Sequence, residues 1–217
     1  MTDLTAPQVV PNWIQGEDRL AISGRTLDKY DPATGRLLCR VARSDQSDVN
    51  DSVAAAKSVQ LAWSAETVAH RGEVLRATAM LMMQRRDEIA ALVSSETGKS
   101  RKDALGETGA AIEMGFFVAG EGRRFYGKTT TSGVPGRSAM TMRQPLGVAG
   151  LIIAANTPIA NVAWKVFPAL LCGNAAILKA SEDTPLSAWA FARLLEEAGA
   201  PSGVLQVVHG YGPEAGG

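Results

Sequence analysis

The sequence has few of the residues that build disulfide frameworks and metal centres, and it carries no excess of either charge. It holds two cysteines and two histidines in 217 residues, and its 22 lysines and arginines balance its 22 aspartates and glutamates. Two cysteines are too few for a disulfide framework, and His70 and His209 stand far apart without partners at metal-ligand spacing. A chain without net charge has no field that attracts nucleic acid or an anionic membrane. We therefore expect no metal, no nucleic acid and no membrane among its partners.

Long hydrophobic runs are also absent. The longest apolar run, residues 148–155, is far too short to span a bilayer. The N-terminus, MTDLTAPQVVPNW, has neither the basic start nor the apolar core of a signal peptide. Together with the scarce cysteines, these features indicate a cytoplasmic protein. The 46% hydrophobic content is ample for a folded core.

Three segments with different patterns follow one another along the chain. We predict an N-terminal arm with helices over 1–126, a hairpin over 127–145 and a βαβαβ unit over 146–217. The arm begins with short strands around a turn at 31–35, where proline and glycine stand at turn positions.

Periodic apolar residues predict three helical regions after these strands. Ser47 is the predicted N-cap of the first. The second begins near His70, bends at 85–87 and ends at Gly98, which suits a left-handed C-terminal position. The third runs over about 101–126. The apolar side chains that we expect to be buried are Val49, Val53, Ala56, Val59, Leu75, Met80, Met82, Met83, Ile89, Leu92, Ile112, Phe116 and Phe117.

Residues 127–145 are threonine-rich and alternating, and they flank Val134-Pro135-Gly136-Arg137, a pattern typical of a β-hairpin. An isolated two-stranded ribbon has little core and is marginal in water. We therefore predict that this hairpin packs against another subunit in a homo-oligomer.

Residues 146–217 alternate between strand and helix patterns, which indicates an α/β fold: a partial, Rossmann-like parallel sheet with right-handed crossovers. The first strand is a continuous apolar run, as expected for a strand that is covered on both faces. We expect the last strand to present an unpaired edge. The predicted strands cover 148–154, 175–179 and 204–209, and the predicted helices cover 159–171 and 185–199.

Asn156 directly follows the first of these strands. Ligands of open α/β sheets bind at the carboxyl ends of the strands. A side-chain amide in that place can donate to the oxyanion that develops when a carbonyl is attacked. Asparagine is also a common turn residue before a helix, so spacing alone leaves both roles open.

Lys179 and Glu182 stand at the end of the next strand. Both can reach the ribose of a nucleotide, and a carboxylate there accepts from the vicinal hydroxyls and repels a 2′-phosphate. A solvated, capped loop would use the same residue types. After the last strand, Gly210-Tyr211-Gly212-Pro213-Glu214-Ala215 fits G-x-G-x-x-A, a pattern that a plain tight turn also satisfies.

Two further side chains carry weaker signals. Lys165 either faces the cleft of Asn156 or lies at the surface with its aliphatic stem covering apolar groups. Cys172 lies in an apolar helix end without a nearby base, so we predict a packing role for it.

In order and spacing, these residues resemble the aldehyde dehydrogenase superfamily over nearly the whole chain. The resemblance implies an enzyme that oxidises an aldehyde to a carboxylic acid with NAD or NADP, through a cysteine thiolate and a glutamate-activated water. The matching motifs are Asp31-Pro32-Ala33-Thr34-Gly35, Glu96-Thr97-Gly98-Lys99, Trp164-Lys165, Pro168-Ala169-Leu170, Gly173-Asn174, Leu178-Lys179 with Ser181-Glu182, Thr184-Pro185, Ala198-Gly199-x-Pro201 and Gly210-x-Gly212-x-x-x-Gly216.

The resemblance also implies a role for each candidate residue. Asn156 would hold the thiohemiacetal oxyanion, and Lys165 would lie near the proton-relay path. Lys179 and Glu182 would bind the adenosine ribose, with Glu182 favouring NAD over NADP. The ribbon at 127–145 would be the family's oligomerisation hairpin. The other implied cofactor-binding residues are Ile152 and Ile153, beside the cofactor, and Gly212 and Gly216, in the adenine pocket.

The sequence departs from the family pattern in two ways. Family members usually carry Pro-Trp before the asparagine and an aromatic residue after it, whereas this chain has Ala154-Ala155-Asn156-Thr157. The nucleophilic cysteine and the general-base glutamate are absent from the 217 residues, and neither Cys39 nor Cys172 occupies the nucleophile's place. We therefore expect the N-terminal part of an aldehyde dehydrogenase, truncated before the catalytic cysteine. A non-catalytic nucleotide-binding or subunit-pairing chain, and a sister enzyme acting on acyl phosphates or acyl-CoA thioesters, remain as alternatives.

Overall fold

A computed structural model describes residues 2–217. As predicted, the N-terminal arm forms short strands: β1 (Val9–Val10), β2 (Asn12–Ile14), β3 (Glu17–Arg19), β4 (Thr26–Tyr30) and β5 (Leu37–Ala42). β4 and β5 are antiparallel across the predicted turn, where the Asp31 carboxylate accepts a hydrogen bond from the Ala33 N–H at 2.8 Å. β1 runs parallel to β5, so these strands form a small sheet of order β1-β5-β4.

Helix α1 (Gln46–Ala65) is capped by Asp45, so the predicted N-cap at Ser47 is wrong. The Asp45 carboxylate accepts from the Ser47 N–H at 2.9 Å, and the Asp48 carboxylate accepts from the Asp45 N–H at 3.1 Å. This reciprocal capping box satisfies donors that the first helical turn leaves free. Ser47 instead lies inside the first turn of the helix.

The long helical region divides into α2 (Val68–Gln84) and α3 (Arg86–Thr97), with the break at Arg85 where a bend was predicted. Gly98 ends α3 in the left-handed conformation, with φ 74°, which confirms the predicted C-terminal glycine. α4 (Arg101–Glu121) is shorter than the predicted 101–126.

The predicted apolar faces of these helices are correct at most positions. Leu75, Met82 and Ile89 are fully buried in the main core. Met80 and Met83 are exposed, so their predicted burial is wrong, because each successive helical residue turns by about 100° and only one of these three methionines faces inward. Phe117 is 63% exposed for the same reason. Of the remaining predicted side chains, those that are buried are Ala56, Leu92 and Ile112, and those that are partly buried are Val49, Val53, Val59 and Phe116.

The predicted hairpin is present. β6 (Thr129–Thr131) and β7 (Ser138–Met140) pair in antiparallel fashion, and Gly136 has φ 74° in the connecting turn. Every residue of both strands is exposed. The ribbon therefore has no core within residues 2–217, and its role in oligomerisation stays a prediction.

The predicted alternation of strands and helices is confirmed for the remaining segment. β8, β9 and β10 pair in parallel, which establishes an α/β fold with a partial parallel sheet. Among residues 2–217, no helix is both long and apolar enough to cross a membrane. The elements are β8 (Val148–Ile152), α5 (Pro158–Leu171), β9 (Ala175–Lys179), α6 (Pro185–Glu197), β10 (Leu205–Val208) and α7 (Gly212–Ala215).

Two predictions about the edges of this sheet are wrong. β10 is not an edge strand, because β2 pairs with it through Trp13 and Val207 and β3 continues the sheet in the order β3-β2-β10-β9-β8. The parallel strand at an edge of the sheet is β8, and it is not covered on both faces, since Ile152 is 56% exposed. An apolar run has the same pattern at an edge as in the centre of a sheet, so periodicity does not give strand order. The division of the chain at 126 and 145 stays a prediction.

Alternate residues of the parallel strands face different helical layers. Leu178 and Val207 belong to the main core, which also contains α5 and α6. Ile177 and Val208 belong to a smaller cluster on the opposite face, with residues of α1 and α7. Helices therefore cover both faces of the sheet, as in doubly wound folds.

His209, directly after β10, is buried, and both of its ring nitrogens lack a hydrogen-bond partner in the described part of the chain. Burial, reinforced by the nearby Lys179 ammonium, lowers the pKa of His209 to about 3. The folded chain therefore holds this imidazole neutral at pH values where the unfolded chain protonates it.

We expect this difference to make the chain sensitive to acid. The stability contributed by neutral His209 is fully present above pH 6.5, the ordinary pKa, and is lost as the pH falls towards about 3. His209→Leu should therefore lose less unfolding free energy than wild type between neutral pH and about pH 4.5, as measured by urea denaturation. His70 is exposed, so His70→Gln is the matched control and should keep the wild-type dependence. Identical pH profiles for wild type and His209→Leu would contradict this assignment.

Candidate functional site

Two loops at the carboxyl ends of neighbouring strands form the centre of the candidate site. Residues 153–157 join β8 to α5, and residues 180–184 join β9 to α6. Both helices begin with a threonine followed by a proline, and neither Thr157 nor Thr184 caps its helix through the side chain. The free N–H groups of the first turns therefore need acceptors from another element.

Glu96, near the end of α3, supplies the acceptor for α6. Its carboxylate accepts from the N–H of Leu186 at 2.7 Å and of Ser187 at 3.2 Å, and from the Ser187 hydroxyl. Complete burial raises the pKa of Glu96 to about 7, although these hydrogen bonds and the Lys29 ammonium act in the opposite direction. The loop between Lys179 and α6 is thus held from α3.

Glu107, on α4, supplies the acceptor for α5. Its Oε1 accepts from the N–H of Ile159 at 3.0 Å and of Ala160 at 3.4 Å, while its Oε2 pairs with the Lys99 ammonium. Lys99 also donates to the backbone carbonyl of Asn156. One ammonium group therefore connects Asn156 to the carboxylate that caps the following helix.

The Asn156 side chain is exposed between the two loops. Its Oδ1 accepts a hydrogen bond from Asn161 Nδ2 at 3.2 Å. Within residues 2–217, no group accepts from Asn156 Nδ2, so its two N–H donors are available. Asn156 lines a cavity of about 270 Å³, and Lys29, Lys99 and Asp183 contribute to the same wall.

Lys179 and Glu182 form an ion pair at the end of β9, with 3.0 Å between Nζ and Oε2. Burial of Glu182 disfavours its ionised form, but its own backbone N–H and the Lys179 ammonium outweigh burial and lower its pKa. The structure therefore brings these two predicted residues into contact, with the carboxylate ionised.

A second cavity, of about 370 Å³, lies over β8 and β9 on the side of α1. The predicted cofactor residues Ile152, Lys179 and Gly216 line it, together with Val148 and Ile177 from the strands. The strand residues give the cavity an apolar floor, and the lysine places a charged group at the strand end.

The other predicted residues do not line this second cavity. Lys165 extends from α5 and donates to the Ile152 carbonyl. Ile153 is buried in the main core, and Gly212 begins α7. Asn156 lies in the neighbouring cavity at the same edge of the sheet.

The glycine turn after β10 is anchored by an ion pair that sequence reasoning missed. Glu214 of α7 accepts from Arg43 Nε at 2.9 Å, and the Arg43 guanidinium lies 4.9 Å from the centre of the Tyr211 ring. Gly210 has φ 137°, and a Cβ there would come within 3.0 Å of the Ser44 carbonyl oxygen. Only glycine fits this close approach.

Glu96, Lys99 and Glu107 also belong to the site, although no site role was predicted for them. A signal was present in the caps: Thr157 and Thr184 are not followed three residues later by glutamate or glutamine, so neither can form a capping box. The acceptors for α5 and α6 had to come from elsewhere in the chain, although the sequence does not show from where.

The two cysteines do not take part in this site. Cys39 is buried at β5, where burial raises the pKa of its thiol to about 11. Burial also raises the pKa of Cys172, which lies in a separate cavity with Arg71 and Arg143. Within residues 2–217, no cluster of histidine, cysteine or acidic side chains could hold a metal ion.

Known proteins share this sequence and geometry. A family model described as the aldehyde dehydrogenase family matches residues 20–217. Malonate-semialdehyde dehydrogenase 2 of Bacillus cereus is 39% identical over 210 residues, which are 97% of this chain and 43% of that protein. The chain spans about two fifths of the length of the curated relatives it matches.

Solved structures superpose closely on this chain. PnpE from Pseudomonas sp. WBC-3, solved in complex with nicotinamide adenine dinucleotide, matches with a TM-score of 0.93 and 35% identity, over 95% of this chain and 42% of PnpE. A 3,6-anhydro-L-galactose dehydrogenase solved in complex with NADP has a TM-score of 0.92 and 32% identity, over 96% of this chain and 44% of the dehydrogenase.

The role of Glu96 can be tested by its removal. We expect Glu96→Ala to lower the free energy of unfolding by about 2–4 kcal/mol, because the buried N–H groups of Leu186 and Ser187 lose their acceptor. Glu113 is exposed on α4, so Glu113→Ala is the matched control and should stay within about 0.5 kcal/mol of wild type. Urea denaturation followed by circular dichroism measures both variants. Equal midpoints for the two would show that Glu96 does not hold α6.

Proposed function

The chain belongs to the aldehyde dehydrogenase family, and we propose that it forms the N-terminal part of an NAD(P)-dependent enzyme that oxidises an aldehyde to a carboxylic acid. The proposal rests on the side chains at the carboxyl ends of two neighbouring strands. One bears an asparagine with free amide donors, and the next bears a lysine–glutamate ion pair beside an apolar cavity. Open α/β sheets bind their ligands at the carboxyl ends of the strands, which is where these side chains lie.

Asn156 supplies a hydrogen-bond donor to the oxyanion that forms when a nucleophile attacks the aldehyde carbonyl. Its Nδ2 is free, its Oδ1 is engaged by Asn161, and its backbone is held by Lys99. A donor fixed in advance stabilises the developing charge without a reorganisation cost. This arrangement favours the oxyanion role over a turn role for Asn156.

Lys179 and Glu182 bind the adenosine ribose of the cofactor, and Ile152 and Gly216 line the cavity beside it. Ile153 supports the strand end from the main core. The residues present fit such a group, since an ionised carboxylate and an ammonium meet at the rim of a cavity with an apolar floor. The Glu182 carboxylate accepts from vicinal hydroxyls and repels a 2′-phosphate, so we propose that NAD is preferred, with NADP as the second cofactor. When bound there, the cofactor would supply the acceptor for the hydride that leaves the substrate.

Gly212 and Lys165 complete the proposed set of site residues. Gly212 opens α7 next to the adenine pocket, where Glu214 and Arg43 hold the turn in place. Lys165 lies near the proton-relay path, and its ammonium is held at the strand end by the Ile152 carbonyl.

The nucleophilic thiol and the general-base carboxylate come from residues outside the 217 of this sequence. Neither Cys39 nor Cys172 lines the Asn156 cavity, and the pKa of each thiol is raised, which keeps both protonated. The same observation supports the alternative, a non-catalytic chain that binds nucleotide or pairs with full-length subunits. The reading frame beyond codon 217 separates the two hypotheses.

We propose further that the protein is a cytoplasmic homo-oligomer assembled through the hairpin at 127–145. Both strands of the hairpin are exposed, and Met140 and Met142 present apolar side chains there. A second subunit would remove this apolar surface from water.

The purified 217-residue chain is expected to produce no NADH from aldehydes above background, because it offers no thiolate near Asn156. A product of a longer reading frame that contains the nucleophile is expected to do so. Absorbance at the NADH band, followed for a panel of aliphatic and aromatic aldehydes, measures both. Turnover by the 217-residue chain would refute the assignment of the nucleophile to residues outside it.

In the full-length protein, Asn156→Ala is expected to lower kcat by about two to three orders of magnitude, the usual effect of removing one oxyanion donor. The KM for NAD should change little, since Lys179 and Glu182 lie at the next strand. Asn50 has an exposed side-chain amide on α1, so Asn50→Ala is the matched control. Its kcat should equal that of wild type. A change in kcat below about threefold would assign Asn156 to turn formation alone.

A further inference from the structure

Asn161 lies in the first turn of α5 and makes two hydrogen bonds with a single nitrogen. Its Nδ2 donates to the backbone carbonyl of Ala154 at 3.2 Å and to Asn156 Oδ1 at 3.2 Å. A backbone carbonyl can only accept, so the contact with Ala154 determines which end of the Asn161 amide is nitrogen.

That contact also determines the orientation of Asn156. The atom of Asn156 that faces the Asn161 nitrogen must be an acceptor, and only the amide oxygen qualifies. The Asn156 nitrogen therefore lies on the opposite side, with both N–H groups free. The backbone of Asn156 has a separate anchor, the Lys99 ammonium.

We propose that Asn161 is a positioning residue that orients the Asn156 amide with its nitrogen towards the reacting carbonyl. Without it, the amide can rotate by a half turn, and the oxygen then repels the developing oxyanion. Asn161 acts through Asn156 and does not itself contact the aldehyde. This inference depends on the oxyanion role proposed for Asn156.

The choice of substitution separates orientation from packing. In Asn161→Asp the side chain has nearly the same size, but a carboxylate can only accept. It would attract the Asn156 nitrogen and turn the amide to the wrong orientation. A carboxylate in the first turn of a helix is compatible with folding, since it interacts favourably with the helix dipole. Asn161→Ala removes the contact without imposing the reverse orientation.

In the full-length enzyme, we expect kcat to fall about tenfold in Asn161→Ala and about a hundredfold in Asn161→Asp, close to the loss in Asn156→Ala. The KM for NAD should stay near wild type in both, and the thermal midpoint should fall slightly in both, because each variant loses the hydrogen bond to the Ala154 carbonyl. Combined with Asn156→Ala, Asn161→Asp should cause no further loss, because its effect passes through the amide that is already gone. Additive losses, or equal losses in the two Asn161 variants, would overturn the proposal.

A crystal structure of full-length Asn161→Asp gives a readout that does not depend on activity. We expect the Asn156 nitrogen within hydrogen-bond distance of the new carboxylate, and its oxygen facing the cavity. An unrotated amide contradicts the inference about Asn161. A wild-type enzyme without aldehyde-dependent NADH production contradicts the proposed function instead, and the crystal structure still tests whether Asn161 orients the amide.

Discussion

Two buried carboxylates, Glu96 and Glu107, determine the geometry of the candidate site. Each accepts hydrogen bonds from N–H groups at the start of a helix that follows a strand of the parallel sheet. Because α5 and α6 begin with proline and have no side-chain cap of their own, these contacts fix where each loop leaves the sheet. The positions of Asn156 and Glu182 therefore depend on α3 and α4, which precede them by many residues in the chain.

The two carboxylates are compensated in different ways. Glu107 has an ammonium partner, Lys99, so its charge is paired inside the protein. Glu96 has hydrogen bonds from α6 but no ion pair within residues 2–217, and burial raises its pKa to about 7. A buried charge is costly unless it is paired and hydrogen-bonded, so the α5 side of the site is the better compensated of the two. On the same side, Lys99 also holds the backbone of Asn156. Asn156 is the residue that the proposed chemistry requires to be placed most accurately.

The features that could be predicted from sequence are those with local signals. The alternation of strand and helix patterns over 146–217 predicted the parallel strands, and Gly98 predicted the end of a helix. The pairing of β2 with β10 could not be predicted, because the three residues around Trp13 contain no pattern that identifies a partner near Val207. Within the site, spacing placed Lys179 and Glu182 at the same strand end, but their ion pair was not predicted. The acceptor role of Glu107 was not predicted either, since it arises only when α4 packs against α5.

The alternation of side chains at the end of β8 explains why the site residues occupy two cavities. Ile152 lines the cavity on the side of α1, whereas Ile153 points into the core on the side of α5. The chain then turns towards α5, which carries Asn156 into the other cavity. A ligand that contacts both Lys179 and Asn156 must therefore pass across the strand end beside Ile152. A compact ligand would fill one cavity, but the proposed dinucleotide is extended, with its ribose at one end and its reactive ring at the other. The distribution of these residues over two cavities at neighbouring strand ends thus favours an extended ligand.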